Sequence, residues 1–197
     1  MSPNPPVYET LVVTSRHSGA QVTVDRVDPS TGQTTPIWVF HKTPGQKTAA
    51  LLYANAPSGQ NAAAAGTIRH HSISVSSDIT LRGGPEFKMK IVETDYPVRK
   101  QEFAFNGARF TWGKEDDTLS PRKLALKDAV SGQLLGRFRK YPNGRAAGSR
   151  PTFELFIPTT SIDMDMFIVT GMSSMDFWGG EDEAGIKLFG KLAGLMG

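Results

Sequence analysis

Ser161 to Trp178 reads SIDMDMFIVTGMSSMDFW, and this stretch leaves a folded chain few options. Beyond the first turn, Met166, Phe167, Ile168, Val169, Met172 and Met175 would fall on every side of a helix, and Phe177 and Trp178 follow them. A helix that is apolar nearly all round must be buried in protein or in a membrane. Thr170, Gly171, Ser173, Ser174 and Asp176 interrupt the run, so it falls short of the ~20 residues needed to span a bilayer. A helix over 161–178, buried within the protein, is therefore predicted. Thr160 or Ser161 is its expected N-cap, with Asp163 completing a weak capping box and placing negative charge in the first turn.

What precedes this helix reads as strands. Tyr8–Arg16 is rich in β-formers, and Gln21–Val27 alternates Val22 and Val24 against polar neighbours. Ile37–His41 and Ala49–Ala54 are two more short runs. Ala56–Ala65 reads as a loop, and Thr67–Leu81 supplies one or two strands with Ile68, Ile73, Val75, Ile79 and Leu81 inward. In Glu86–Glu93, Phe87, Met89 and Ile91 share one face while Lys88 and Lys90 share the other. Gln101–Phe105 and Ala108–Trp112 flank Asn106-Gly107, the strongest short hairpin signal in the chain. Lys123–Ala129 and Gln133–Tyr141 form another hairpin. There Leu134 and Phe138 are expected on one side, with Leu135, Arg137 and Arg139 on the other. Thr152–Ile157 is the last strand before the helix.

Eleven or twelve short strands at this spacing, with no alternating βα units, point to an antiparallel sandwich or barrel rather than a parallel sheet. A mainly β fold, a closed antiparallel barrel of about twelve strands around a buried hydrophobic helix, satisfies both halves of the sequence. A disordered lead-in over 1–6, a barrel over 7–178 and a glycine-rich amphipathic tail over 179–197 complete the expected organisation.

Charge is distributed unevenly. Residues 1–160 hold 20 Lys and Arg against 13 Asp and Glu, whereas residues 161–197 hold 2 against 6. The segment 97–150 has 12 basic and 5 acidic residues, so it accounts for the excess. A basic surface there suits an anionic partner. The chain has no cysteine, which removes disulfides and thiolate metal sites from consideration. Met1–Thr10 has neither a basic region nor an apolar run of the signal-peptide kind, so a cytoplasmic location is expected, peripheral at the membrane if the basic surface meets lipid.

The hairpin FTWGKEDDTLSPRKLALKDAVSGQLLGRFRK (Phe110–Lys140), the strand PTFELFIP (Pro151–Pro158) and the segment DMFIVTGMSSM (Asp165–Met175) together resemble the tubby C-terminal-like superfamily. That superfamily also holds the phospholipid scramblases and LURP-one-related proteins, and the likeness is to small tubby-like proteins found in fungi. It covers about residues 7–178 and rests on the order of parts. It implies a barrel of roughly twelve strands around a hydrophobic helix. It also implies a non-enzymatic, membrane-associated module that binds phosphoinositide headgroups through Lys-x-Arg pairs on a strand. Here Arg137-x-Arg139, with Lys140 beside it, and Lys88-x-Lys90 are the candidates. Side chains at i and i+2 share one face of a strand, and arginine can meet phosphate in bidentate fashion.

In the tail, Ile186 and Phe189 with Lys187 and Lys191 make a candidate membrane-contacting helix after the acidic Glu181-Asp182-Glu183. Gly185 to Lys191 imitates a phosphate-binding loop but has Leu192 where Ser or Thr is required. His70 and His71 are adjacent, so they would point to opposite faces of a strand and would not chelate together. Asp163 and Asp165, or Glu115-Asp116-Asp117, lack the ligand spacing of a calcium loop and read as solvated acidic turns. No G-x-S-x-G occurs. No metal, cofactor or catalytic group is assigned, and nucleic acid is not expected as a partner. Two alternatives to lipid binding stay open: a scaffold whose basic face takes an acidic protein, and a small-ligand binder or enzyme with a pocket at a barrel end.

Overall fold

The computed structural model describes residues 5–16, 21–42, 47–55, 64–71, 76–93, 100–115, 123–140, 142 and 150–179. The strands are β1 (Glu9–Arg16), β2 (Gln21–Val27), β3 (Thr34–Lys42), β4 (Thr48–Tyr53), β5 (Ala64–His71) and β6 (Ser76–Leu81). They continue as β7 (Phe87–Glu93), β8 (Lys100–Phe105), β9 (Ala108–Lys114), β10 (Lys123–Asp128), β11 (Leu134–Arg139) and β12 (Thr152–Leu155). A 3-10 turn over Thr159–Ser161 leads into α1 (Met164–Gly179). Each strand pairs antiparallel with the next, and β1 pairs with β12, so the sheet closes into a barrel.

The alternation that suggested strands also decides what lines the lumen. Leu11, Val24, Phe40, Ile68, Ile79 and Met89 all point inward and are buried. The helix completes this core: from Asp165 to Met175 every residue of α1 is buried, on all sides. Close contact between helix and wall needs missing side chains. A Cβ on Gly136 would stand 2.5 Å from the Phe167 ring, and one on Gly171 would stand 2.5 Å from Phe153. Phe167 stacks on Trp112 at 5.8 Å and meets Phe153 edge-on at 5.7 Å. The buried polar groups of the helix find wall partners: Trp112 Nε1 donates to Thr170 Oγ1 at 2.9 Å, and Ser174 Oγ donates to Gln101 Oε1 at 2.7 Å. Among the described residues no helix is long and apolar enough to cross a membrane.

Several expectations are corrected. The helix begins later than predicted, because Thr159–Ser161 is spent in the 3-10 turn; Asp163 is the cap, accepting from the Met166 amide at 3.1 Å. Ala64 and Ala65 belong to β5 rather than to a loop, while Thr67–Leu81 divides between β5 and β6, within the one or two strands expected. Leu135 packs in the core with Phe138, contrary to the expected alternation. A bulge opposite Leu126 and Lys127 makes Leu135 the extra residue and reverses the pattern at that point. Ile73, Val75, His17, Asp116, Asp117, residues 1–4 and the tail over 180–197 lie outside the described residues. The Asn106-Gly107 hairpin stands as read, with φ of 49° and 79°, the sign that a type I′ turn needs at both positions.

Candidate functional site

Antiparallel pairing sorts the strand ends into two rims. The rim where α1 begins is the entry rim; the rim where it ends is the far rim.

At the entry rim, Asp165 in the first turn of the helix is buried, and its carboxylate gathers three donors from the wall. Trp38 Nε1 donates to Oδ1 at 2.9 Å, Arg82 Nη1 donates to Oδ2 at 2.9 Å, and the Tyr53 hydroxyl donates to the same Oδ2. Arg82 also pairs with Asp163. Asp163 and Asp165 are thus ion-paired to the barrel instead of forming a solvated acidic turn. Arg82 holds φ of 48°, a left-handed conformation unusual outside glycine, just where β6 turns towards β7. Burial, then the hydrogen bond to Asp165 and its charge, push the Tyr53 phenol up to about 12 against the opposing effect of Arg82. The folded protein therefore favours the neutral phenol. Stability from this group is present below the unfolded value of about 10 and is lost as pH rises towards 12. In a spectrophotometric titration of the four tyrosines, the last phenolate to appear should vanish in Tyr53→Phe. Four independent titrations near the ordinary value in the parent protein would overturn the assignment.

The two rims differ in charge. Glu9, Asp28, Glu86, Asp128, Asp163 and Asp165 crowd the entry rim, where Arg26, Arg82 and Arg109 are taken up in ion pairs with carboxylates and Lys127 stands nearby. The far rim carries Lys42, Lys47, Lys100, Lys114, Lys123 and Lys140 at the strand ends. Arg139 and Arg150 add to it, and Glu93, opposite Lys100, and Glu115 are described carboxylates among them. From β8 to β11 the cations form a continuous arc. Lys100 lies opposite Gly113, Lys114 opposite Leu124, and Lys123 directly opposite Arg139.

Within this arc the Arg137-x-Arg139 pair has two different environments. Arg137 is buried: its guanidinium pairs with Glu115 and, at 3.4 Å, with Glu154, and lies 4.9 Å over the Phe156 ring. Arg139 is half-buried, with Nε 3.4 Å from Glu154. Both point outward, as the spacing required, and they share Glu154; Arg137 is the more deeply buried and also holds Glu115. Lys140 is buried beside them. Lys88 and Lys90 lie on the opposite wall among acids. Lys88 Nζ is 3.6 Å from Asp78, which also meets Arg69 at 2.9 Å and His71 at 2.5 Å, and Lys90 stands opposite Glu102. Burial acts to raise the Asp78 carboxyl, but hydrogen bonds from His71 and Arg69 outweigh it and hold the group below its ordinary value. His70 instead bonds Ser77 at 2.9 Å, on the other face from His71. Ile186, Phe189, Lys187 and Lys191 lie outside the described residues.

Sequence reasoning missed Lys100, Lys114 and Lys123. Each is the first or last residue of its strand, and the signal was available: in a meander, such residues on successive strands return to the same end.

A groove of about 660 Å³ opens on the outside at the entry rim, lined by Val7, Tyr8, Thr10, Val27, Pro29 and Thr35 around the Glu9–Arg26 ion pair. Compared with known proteins, the chain matches no family model, no curated protein and no solved structure.

Proposed function

We propose that this protein is a non-enzymatic, tubby-like module that binds the phosphate headgroups of anionic lipids through the far rim of its barrel. One observation carries the reading: Lys123 faces Arg139 across the β10–β11 ladder, within an arc that includes Lys100, Lys114 and Lys140. A run of cations gathered at one rim is the surface that an anionic partner meets first. Arg139 and Lys123 are the phosphate ligands. Arg137 is a positioning residue, pairing with Glu115 and sharing Glu154 with the more exposed Arg139. Lys88 and Lys90 contribute less, because Asp78 and Glu102 neutralise that wall. The mechanism is attraction of the arc to a negative surface, followed by charge-assisted hydrogen bonds to phosphate.

The test is co-sedimentation with liposomes of graded phosphoinositide content at low and high salt. Binding should track phosphoinositide and weaken with salt. Lys123→Gln with Arg139→Gln should cost about 2 kcal/mol of binding, roughly thirtyfold in partitioning, with an unchanged circular dichroism spectrum. Equal binding by the double variant would sink the reading. A second reading, docking of a protein segment, rests on the groove beside the exposed Val7 and Tyr8. It predicts indifference to lipid composition.

A further inference from the structure

The β2–β3 and β10–β11 turns are built alike, 100 positions apart, as Asp28–Gln33 and Asp128–Gln133. In each, the aspartate Oδ1 accepts from the amides two and three residues on and from one serine hydroxyl. In each, the aspartate carbonyl accepts from the amide of Gly32 or Gly132, whose φ is 69° or 73°. Hydrogen bonds from Ser30 and then Thr31 hold the Asp28 carboxyl below its ordinary value, and those from Ser131 and then Val130 do so for Asp128. The turns differ in what stands beside them. Asp28 borders the entry-rim groove of about 660 Å³, and Asp128 is not among its lining residues. Beside the β2–β3 turn this groove is lined by Val7 and Tyr8, which are 50 % and 56 % exposed. The Tyr8 amide is tied to the Leu155 carbonyl at 2.8 Å, and the turn is tied by its own bonds. Both parts therefore stand ready before anything binds, which keeps the cost of ordering a complex small. Arg26, the cation of the lining, is held by Glu9 at 2.7 Å. Asp28 spends Oδ1 on its turn, and its Oδ2 takes no hydrogen bond among the described residues.

We infer that this groove docks a linear protein segment that places an arginine or lysine beside an aliphatic or aromatic residue. The inference rests on the docking reading above and names the chemistry of the segment. The cation meets the unengaged Oδ2 of Asp28 in a charge-assisted hydrogen bond and lies over the exposed Tyr8 ring. Its apolar neighbour rests against Val7, Val27 and Pro29. An acidic segment is repelled by Asp28, and an uncharged one forfeits both attractions of the cation. The groove lies at the opposite end of the barrel from the cationic arc. A module held to a lipid surface by its far rim would thus present the groove to solution, so one barrel can serve both partners.

The probe is a phage-displayed library of random peptides panned against the full chain, with the selected peptides then synthesised and titrated by fluorescence anisotropy. Enriched sequences should pair Arg or Lys with a nearby aliphatic or aromatic residue, and should shift the NMR signals of Val7, Val27 and Thr35. Asp28→Asn and Tyr8→Ser should each weaken binding by about tenfold. Asparagine keeps the Oδ1 acceptor and removes the charge, so the turn survives the change. Asp128→Asn makes the same change in the twin turn and should leave binding as it was. Equal weakening by Asp28→Asn and Asp128→Asn overturns the inference, since the effect would then belong to the turns and not to the groove. Enriched sequences of acidic or uncharged character that map to the groove overturn it while sparing the docking reading; no enrichment over a Tyr8→Ser target overturns both. Tighter binding by a chain that begins at Pro5 would make residues 1–4 the occupant, and self-association lost in Tyr8→Ser would make it a second copy. Either result overturns the inference. No lipid enters these measurements, so they stand or fall apart from the headgroup reading.

Discussion

Asp165→Ala is expected to lower unfolding stability by about 3 kcal/mol, measured by chemical denaturation. The carboxylate serves three donors at once. Its removal leaves the buried Trp38 Nε1 without an acceptor and Tyr53 with a partly buried hydroxyl to satisfy. Arg82 suffers least, because half of its side chain is in water and Asp163 stays beside it. Arg82→Ala should therefore cost clearly less than Asp165→Ala. Equal losses, or a loss below about 1 kcal/mol for Asp165→Ala, would show that this network does not hold the helix in the barrel.

Phe167→Ala is expected to cost about 4 kcal/mol, the range for removing a fully buried aromatic side chain. Phe167 is 0 % exposed and is gripped by Trp112 and Phe153. The informative variant is its partner. Gly136→Val drives a side chain into space where the Phe167 ring already stands 2.5 Å from a Cβ, an overpacking that costs about 1–3 kcal/mol. Combined with Phe167→Ala, the new valine should fill part of the cavity. The double variant should then be more stable than Phe167→Ala alone. Simple additivity would mean that the two sites do not share the space described, since directly contacting residues couple.

These two networks mark the limit of what the sequence makes legible. The strands could be read because Lys88 and Lys90 alternate with Phe87, Met89 and Ile91, and the helix because its apolar residues leave no polar face. The partners of Asp165 could not be read. Trp38, Tyr53 and Arg82 lie far away in sequence, and each fits an ordinary half-buried strand end. The cap moved to Asp163 because Pro158 opens a separate turn that uses up the hydroxyl residues predicted for the role. Leu135 misled because a bulge is a matter of pairing, and pairing belongs to two strands rather than one. The candidate site was legible in part. Arg139 and Lys140 were singled out, but the rim that unites them with Lys100, Lys114 and Lys123 exists only after closure. Arg137 looked identical to Arg139 in sequence; both reach Glu154, and Arg137 differs in its deeper burial and in its pairing with Glu115.

The connectivity also sets an order of events. Strands β1 to β11 each pair with a neighbour in sequence, so hairpins can form one after another as the chain emerges from a ribosome. None of this yields a finished core, because the helix that fills the lumen and the strand that closes the seam are both encoded after Arg150. Until residues 152–179 emerge, the growing sheet is an open ribbon with its apolar face and both edges, β1 and β11, in water, the kind of species that aggregates. The barrel can therefore finish folding only once residues 152–179 have joined the rest of the sheet.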